Sequence, residues 1–366
     1  MDKPVSHPMP LDSLGENLVF LLSLPRSGST FLQQILNSHP RLCAPQETWV
    51  MLHPIYARRP EEMKVTYNAI WAKHALDDIA HHYGAGRETQ LCACRAWGNA
   101  FYRDLLMESG KDVFIDKTPR YYHIIPDLAE VYPKARFIFL VRNPMAVLRS
   151  VLFDWVGAEY EKLPSFKQDL IDGPRLLMEG QRAIGERAIS VHYDELVQDP
   201  AKELQKICTF LDVSYEPSML NYGEKGKPKG RHGDTHRTMT FTKPTNERIK
   251  KWHDLKDDPW HLDLACYYAK ELGDDLLKRM GTSQKDVAEA LGVTFPLPDT
   301  RWNWNAFLKA ESARSYAERL HVQWHLFDRA NAYRGSKLHF VLKHWRLLAH
   351  MILNSQREKR KAAQDA

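Results

Sequence analysis

A chain of 366 residues with 43% apolar and 27% charged side chains is ordinary globular material, long enough for one large domain with additions or for two. Its net charge of +5 is too weak to argue for nucleic acid and suits a small anionic ligand. Five scattered cysteines (Cys43, Cys92, Cys94, Cys208, Cys266) make no disulfide framework and point to a reducing compartment. Cys92 and Cys94 stand close enough for half a metal site, but no second pair follows. No apolar run approaches the ~20 residues of a membrane-spanning helix, and residues 1–17 lack the apolar core of a secretory signal. The expected location is cytoplasmic, with no integral membrane span.

In chain order, Leu18-Val19-Phe20-Leu21-Leu22 is a short apolar run bounded by Asn17 and by Ser23 and Pro25, the pattern of a buried parallel strand. Pro25-Arg26-Ser27-Gly28-Ser29-Thr30 follows as a turn, and Phe31, Leu32, Ile35 and Leu36 then recur at helical spacing. That helix should stop around His39-Pro40, because the residue before a proline leaves the helical region. Strand, tight turn and helix together place backbone N–H groups around an anion.

Val113-Phe114-Ile115 is a second strand, leading into Asp116-Lys117-Thr118-Pro119. A helix over 124–133 precedes a third strand from Phe137 to Val141, which ends in Arg142-Asn143-Pro144. The next helix carries Val147, Leu148, Val151 and Leu152 on one face. Ile189 to Tyr193 is a fourth strand, and a helix at about 200–211 follows. This alternation predicts an α/β fold: a three-layer, P-loop-like parallel sheet flanked by helices, with ligands at the carboxyl ends of the strands.

Residues 221–240 set glycines among lysines, arginines and histidines, and read as a mobile basic loop. The expected division is an α/β domain over 15–295 and a helical C-terminal extension over 296–366. In the extension, Leu338, Val341, Leu342, Trp345, Leu348 and Ile352 form an apolar stripe beside basic residues. Packing on the chain's own core or on a dimer mate explains that stripe more simply than anionic lipid does, which leaves a homodimer open. Trp49, Trp71, Trp97, Trp155, Trp302 and Trp304 are expected in the core ahead of an acceptor pocket.

Taken alone, Pro25 to Thr30 reads equally as a glycine turn opening a helix, and it lacks the G-x-x-x-x-G-K-[ST] of a nucleoside-triphosphate loop. It still offers what a phosphosulfate needs. Gly28 lets the backbone approach closely, Ser29 and Thr30 bring hydroxyls to a helix start, and Arg26 brings a permanent cation. Arg142 just past a strand and Ser150 two helical turns on suit one shared phosphate group, although each residue alone is commonplace.

The two motifs together and in this order resemble the sulfotransferases that use PAPS (3′-phosphoadenosine-5′-phosphosulfate), over residues 18 to about 252. In that family the first motif grips the 5′-phosphosulfate and the second the 3′-phosphate. The resemblance therefore assigns Arg26, Ser27, Gly28, Ser29 and Thr30 to the former, and Arg142 and Ser150 to the latter. Within the family the pattern is similar to the tyrosylprotein-type and related bacterial enzymes, which carry a like loop, then a His-Pro such as His39-Pro40 and a Glu-Thr such as Glu47-Thr48. The resemblance makes Glu47 the general base and Lys117 the cation that steadies the sulfonate in flight. It also places Tyr193, in His192 to Val197, near the donor nucleotide. Lys243-Pro244 and Lys250-Lys251-Trp252 resemble a late segment whose basic residue, here Lys251, closes over the donor.

The sequence departs from the family in three places. Small-molecule sulfotransferases place a basic histidine directly after Lys-Thr, whereas Pro119 follows here and His123 is the nearest substitute. Asp154 stands where the tyrosylprotein-type enzymes have another phosphate-binding arginine. Arg237 falls on the position of the hydroxyl ahead of the late Lys-Pro, leaving the adjacent Thr238 as its candidate counterpart.

Sulfonate transfer resembles in-line phosphoryl transfer, so catalysis is positioning plus charge stabilisation, and no metal is expected. The implied donor is PAPS and its product PAP, with a small metabolite, glycan or lipid hydroxyl as acceptor. A P-loop kinase is the rival reading, with Asp116 as its metal ligand. A membrane-peripheral binding protein using the basic C-terminal helix is the second rival.

Overall fold

The computed structural model describes residues 11–59, 68–84, 86–157, 160–225, 246–302 and 304. Five parallel strands form one sheet: Leu18–Ser23 (β1), Leu42–Cys43 (β2), Val113–Lys117 (β3), Arg136–Val141 (β4) and Ala188–His192 (β5). Their spatial order is β2-β3-β1-β4-β5. Every residue of β1 and β3 is buried, as both faces of the sheet are covered, and in β3 this includes Asp116 and Lys117.

One face packs Val19, Leu21, Ile138, Leu140 and Val191 against Leu32, Ile35 and Leu36 of helix α1 (Ser29–Ser38). The other face is aromatic. Phe20 stacks on Phe137 at 5.5 Å between centroids and meets Tyr121 at 6.1 Å and Tyr132 at 5.8 Å. Tyr102, on helix α2 (Arg87–Ser109), lies 4.9 Å from Phe114. Rings of this size bury large apolar areas and prefer such tilted or offset pairings.

The four expected strands and the α1 helix are present. Helix α1 ends at Ser38, and His39 is extended at φ −69°, ψ 139°, as the following proline demands. Helix α3 (Ile125–Val131) falls within the expected 124–133, after a 3₁₀ segment over Pro119–Ile124. Helix α4 (Pro144–Val151) carries Ser150, but Leu152 belongs to a π-helical turn over Leu152–Val156. Tyr193, expected as the last residue of a strand, instead opens helix α5 (Tyr193–Gln198), and helix α6 spans Pro200–Leu211. Strand β2 and the long helix α2 have no counterpart among the expected elements.

The tryptophans divide. Trp302 and Trp304 are buried, whereas Trp71, Trp97 and Trp155 are 70%, 45% and 36% exposed, against the core expectation. All five cysteines are free, with Cys92 exposed and Cys94 buried. Among the described residues no helix is long and apolar enough to cross a membrane. Most of the expected basic loop, including Arg237, Thr238 and Lys243-Pro244, lies outside the described residues, as does nearly all of the expected extension.

Candidate functional site

Parallel strands deliver their carboxyl ends to one edge of the sheet, and here four of them deliver the assigned residues. Strand β1 ends in the 24–28 turn, β3 ends on Lys117, β4 is followed by Arg142 and β5 by Tyr193. Because β3 and β4 flank β1, these ends converge where the strand order reverses direction, the usual ligand crevice of an open α/β sheet.

The turn itself is built for close approach. Gly28 sits at φ 93°, and a Cβ there would come 2.6 Å from the Tyr193 ring. Arg26 is also left-handed, at φ 67°, an uncommon conformation for a residue with a side chain. The Arg26 carbonyl accepts a hydrogen bond from Arg142 Nη1 at 2.8 Å, so the second motif holds the backbone of the first. Arg142 lies 4.2 Å over the Tyr193 ring, and its Nη2 donates to the Arg248 carbonyl at 3.4 Å. Burial pulls the Arg142 guanidinium below its usual range, and burial raises the neighbouring Asp194 carboxyl. Arg142 Nε and Ser27 Oγ are buried without a hydrogen-bond partner among the described residues. Buried donors of this kind are rare in the absence of an acceptor that completes them.

The Arg26 side chain turns toward α4. Its Nε donates to Ser150 Oγ at 3.0 Å, its Nη2 meets Asp154 Oδ2 at 2.6 Å, and its guanidinium lies 5.2 Å from the Trp155 ring. Ser150 Oγ donates to the same Asp154 oxygen at 2.8 Å. Arg26 and Ser150, assigned by sequence to different ends of the donor, are thus in direct contact.

Glu47 follows β2, which runs parallel to β3 with Leu42 opposite Val113 and Cys43 opposite Phe114. The chain continuing from β2 therefore passes the end of β3. There Lys117 Nζ meets Glu47 Oε1 at 2.9 Å and lies 3.4 Å from Thr30 Oγ1, on the first turn of α1. Glu47 Oε2 accepts from the Trp49 indole at 3.1 Å. Lys117 is 1% exposed and Glu47 13%, so the pair is largely withdrawn from water.

Three further residues singled out in the sequence are placed as follows. Lys251 is exposed at the start of the 3₁₀ segment Lys251–Asp257, three residues after Arg248, whose carbonyl accepts from Arg142. His123 packs on the Tyr122 ring at 4.2 Å and its carbonyl accepts from Arg59. Asp116, the kinase reading's metal ligand, is wholly buried, and its carboxylate accepts from Thr48, Tyr102, Thr118 and Tyr121. The sequence reading missed the indole on Glu47, the Asp154 contact and the Asp116 cluster. An acid inside an otherwise apolar parallel strand was the available signal for the last.

The family model described as "Sulfotransferase family" matches residues 19–217. Over 240 residues the chain is 31% identical to the nodulation protein NoeE of Sinorhizobium fredii, covering 60% of this chain and 53% of that protein. It is 28% identical over 218 residues to a putative protein-tyrosine sulfotransferase of Caenorhabditis briggsae, covering 57% of this chain and 70% of that one. The chain thus spans about half the length of the first of these relatives. A solved sulfotransferase domain from the Synechococcus olefin synthase is 28% identical at a TM-score of 0.46, covering 69% of this chain and 90% of that one. The family match extends over more than half of the chain, and it includes the 24–30 turn, Glu47, Lys117, Arg142, Ser150 and Tyr193. The chain belongs to the sulfotransferase family.

Proposed function

We propose that this chain is an enzyme that moves a sulfonate group from PAPS to a hydroxyl of a small molecule, glycan or lipid. The observation that carries the reading is the position of Lys117, whose ammonium touches Glu47 on one side and Thr30 of the turn on the other. A carboxylate, a cation and an anion-cradling turn meet at one point.

The residues present fit such a donor. The buried Ser27 Oγ and Arg142 Nε, without a hydrogen-bond partner among the described residues, and a turn at Gly28 that no Cβ would fit, suit a ligand with anionic oxygens pressed against backbone. Arg26 through Thr30 would hold its 5′ end, Arg142 and Ser150 its 3′-phosphate, and Tyr193 the floor beneath them. When bound, PAPS supplies an electrophilic sulfur: the acceptor oxygen bonds to it while the bridging sulfur–oxygen bond breaks and its electron pair leaves on the 5′-phosphate.

Glu47 takes the acceptor's proton as that oxygen attacks, a contribution of typically ~10²–10⁴-fold. Lys117 and Arg26 neutralise the charge that develops on the transferring group and on the leaving phosphate. Backbone donors of the 26–30 turn would do what magnesium does in kinases, so the reading requires no metal. The burial and saturation of Asp116 speak against the kinase alternative. The relatives' names cover a nodulation protein and protein-tyrosine sulfotransferases, so both small and macromolecular hydroxyls belong in an acceptor screen.

The test is thermal stability with PAP in EDTA, with ATP, and with ATP plus magnesium. Ligand at about 100 times its Kd adds ~2.7 kcal/mol, a shift of several degrees. A shift with PAP in EDTA supports the reading, and radiolabelled PAPS with a panel of phenol, sugar and lipid alcohols then finds the acceptor. A shift only with ATP and magnesium overturns it.

A further inference from the structure

We infer that Asp116 is a positioning residue for the transfer site: through three hydroxyls its carboxylate fastens the three successive backbone amides of Trp49, Val50 and Met51, and so fixes the loop that presents Glu47 to Lys117. The inference rests on the reading of Glu47 as base.

The contacts form a consistent pattern. Thr118 Oγ1 donates to Asp116 Oδ1 at 3.2 Å and accepts the Trp49 N–H at 3.1 Å. Thr48 Oγ1 donates to Oδ2 at 2.8 Å and accepts the Val50 N–H at 3.4 Å. Tyr121 Oη donates to Oδ2 at 2.9 Å and accepts the Met51 N–H at 2.9 Å. Tyr102 adds a fourth hydroxyl, 2.5 Å from Oδ2. Each of the three bridging hydroxyls has one proton. Giving it to the carboxylate leaves the lone pairs for the amide, so the carboxylate decides which way all three point.

The geometry also explains why an acid is tolerated there. Asp116, Tyr102, Tyr121 and Thr118 are fully buried, and an unpaired carboxylate in that place would be costly. Burial does raise the Asp116 carboxyl and the Tyr102 and Tyr121 hydroxyls above their usual values, with the hydrogen bonds to Asp116 opposing the rise in the acid. What the arrangement holds is a strained turn, since Trp49 sits at φ 56°, where a residue with a side chain is disfavoured. Successive residues of a strand point to opposite faces. Asp116 therefore grips Thr48 from the aromatic face while Lys117 grips Glu47 from the other. Residues 116–118 and 47–49 are laced together on both sides of β3, and the ion pair sits in the middle of the lacing.

The test is Asp116→Asn beside Glu47→Gln, each measured for hydrogen exchange at residues 49–51, PAP affinity and turnover with the acceptor that the wild type sulfonates fastest. In Asp116→Asn, exchange at the three amides should quicken and kcat should fall on the order of 10–100-fold, while PAP affinity stays within about twofold. Unchanged exchange or unchanged kcat overturns the inference, and so does a parallel loss of PAP affinity, which marks a general structural defect. If Asp116→Asn does not fold, Thr118→Val against Thr118→Ser decides the matter: the serine, which keeps the hydroxyl, should retain kcat and amide protection, and the valine should lose both. Glu47→Gln should lose turnover with amide protection intact. A fully active Glu47→Gln removes the base assignment and this inference with it. Normal exchange and turnover in Asp116→Asn beside an inactive Glu47→Gln overturns the inference alone.

Discussion

The guanidinium of Arg26 meets the carboxylate of Asp154 at 2.6 Å, and Ser150 is hydrogen-bonded to both. Arg26 and Ser150 are two of the groups proposed to hold the donor's anions, and both already face an internal carboxylate. The pair is 8% and 11% exposed, where charges at such distances interact by several kcal/mol before solvent and reorganisation reduce it. On the proposed donor site, binding would displace or be repelled by this carboxylate. Asp154→Asn should therefore bind PAP more tightly, by about tenfold, in a calorimetric titration. Weaker binding would mean that Asp154 orients Arg26 for the donor instead.

Glu47→Gln keeps the shape of the side chain and an oxygen for the Trp49 indole, but loses the basic carboxylate. It should bind PAP as the parent does and transfer sulfonate ~10²–10⁴-fold more slowly. Full turnover would move the base elsewhere, with His123 first in line for testing.

Lys117 and Glu47 form a pair that is largely buried, and removing one member leaves a charge without its counterion. Single changes Lys117→Met and Glu47→Gln should each destabilise, with the lysine change costing ~3–5 kcal/mol, and the double variant should cost less than their sum. Urea unfolding of the four proteins measures the coupling. Additive losses would show that the two groups do not support one another.

Gly28→Ala would place a Cβ 2.6 Å from the Tyr193 ring at φ 93°. The strain is on the order of 1–3 kcal/mol. It should lower Tm by several degrees and weaken PAP binding, because the turn must shift. A variant with unchanged Tm and PAP affinity would show that the turn has slack.

Burial raises the Asp194 carboxyl against the pull of Arg142 and His192. An acid raised on folding contributes most to stability below its unfolded value, 3.8, and that contribution is lost as pH rises through its folded value. Asp194→Asn has no such loss. Its stability relative to the parent should therefore improve from about pH 4 toward neutrality in denaturant titrations. A pH-independent difference would show that Arg142 fully offsets the burial of the acid.

Some of this was legible in the chain and some was not, for reasons that differ by element. Strand β1, the Val113-Phe114-Ile115 start of β3 and the Phe137–Val141 part of β4 are apolar runs because helices cover both faces, and such runs stand out at once. Strand β2 is two residues long and has no periodicity to read, yet its pairing with β3 is what carries Glu47 past Lys117. Lys251 was reached through its place in the late motif, and a motif does not say how far a side chain is covered; Lys251 is exposed. The exposed Trp71, Trp97 and Trp155 show the same weakness for size and apolarity, since composition alone does not say which large side chains are covered.

The sequence by itself determined the order of strand, glycine turn and helix, the two donor motifs and the acid-and-lysine pair as separate candidates. Local chemistry suffices for those, because backbone conformation, helix starts and apolar periodicity are properties of neighbouring residues. Tertiary structure alone decided that Arg26 turns to Asp154, that Arg142 braces the Arg26 backbone, and that Asp116 fastens the Glu47 loop through Thr48, Thr118 and Tyr121. Each of these joins segments that follow different strands, and only the register of the parallel sheet brings those segments within hydrogen-bonding reach.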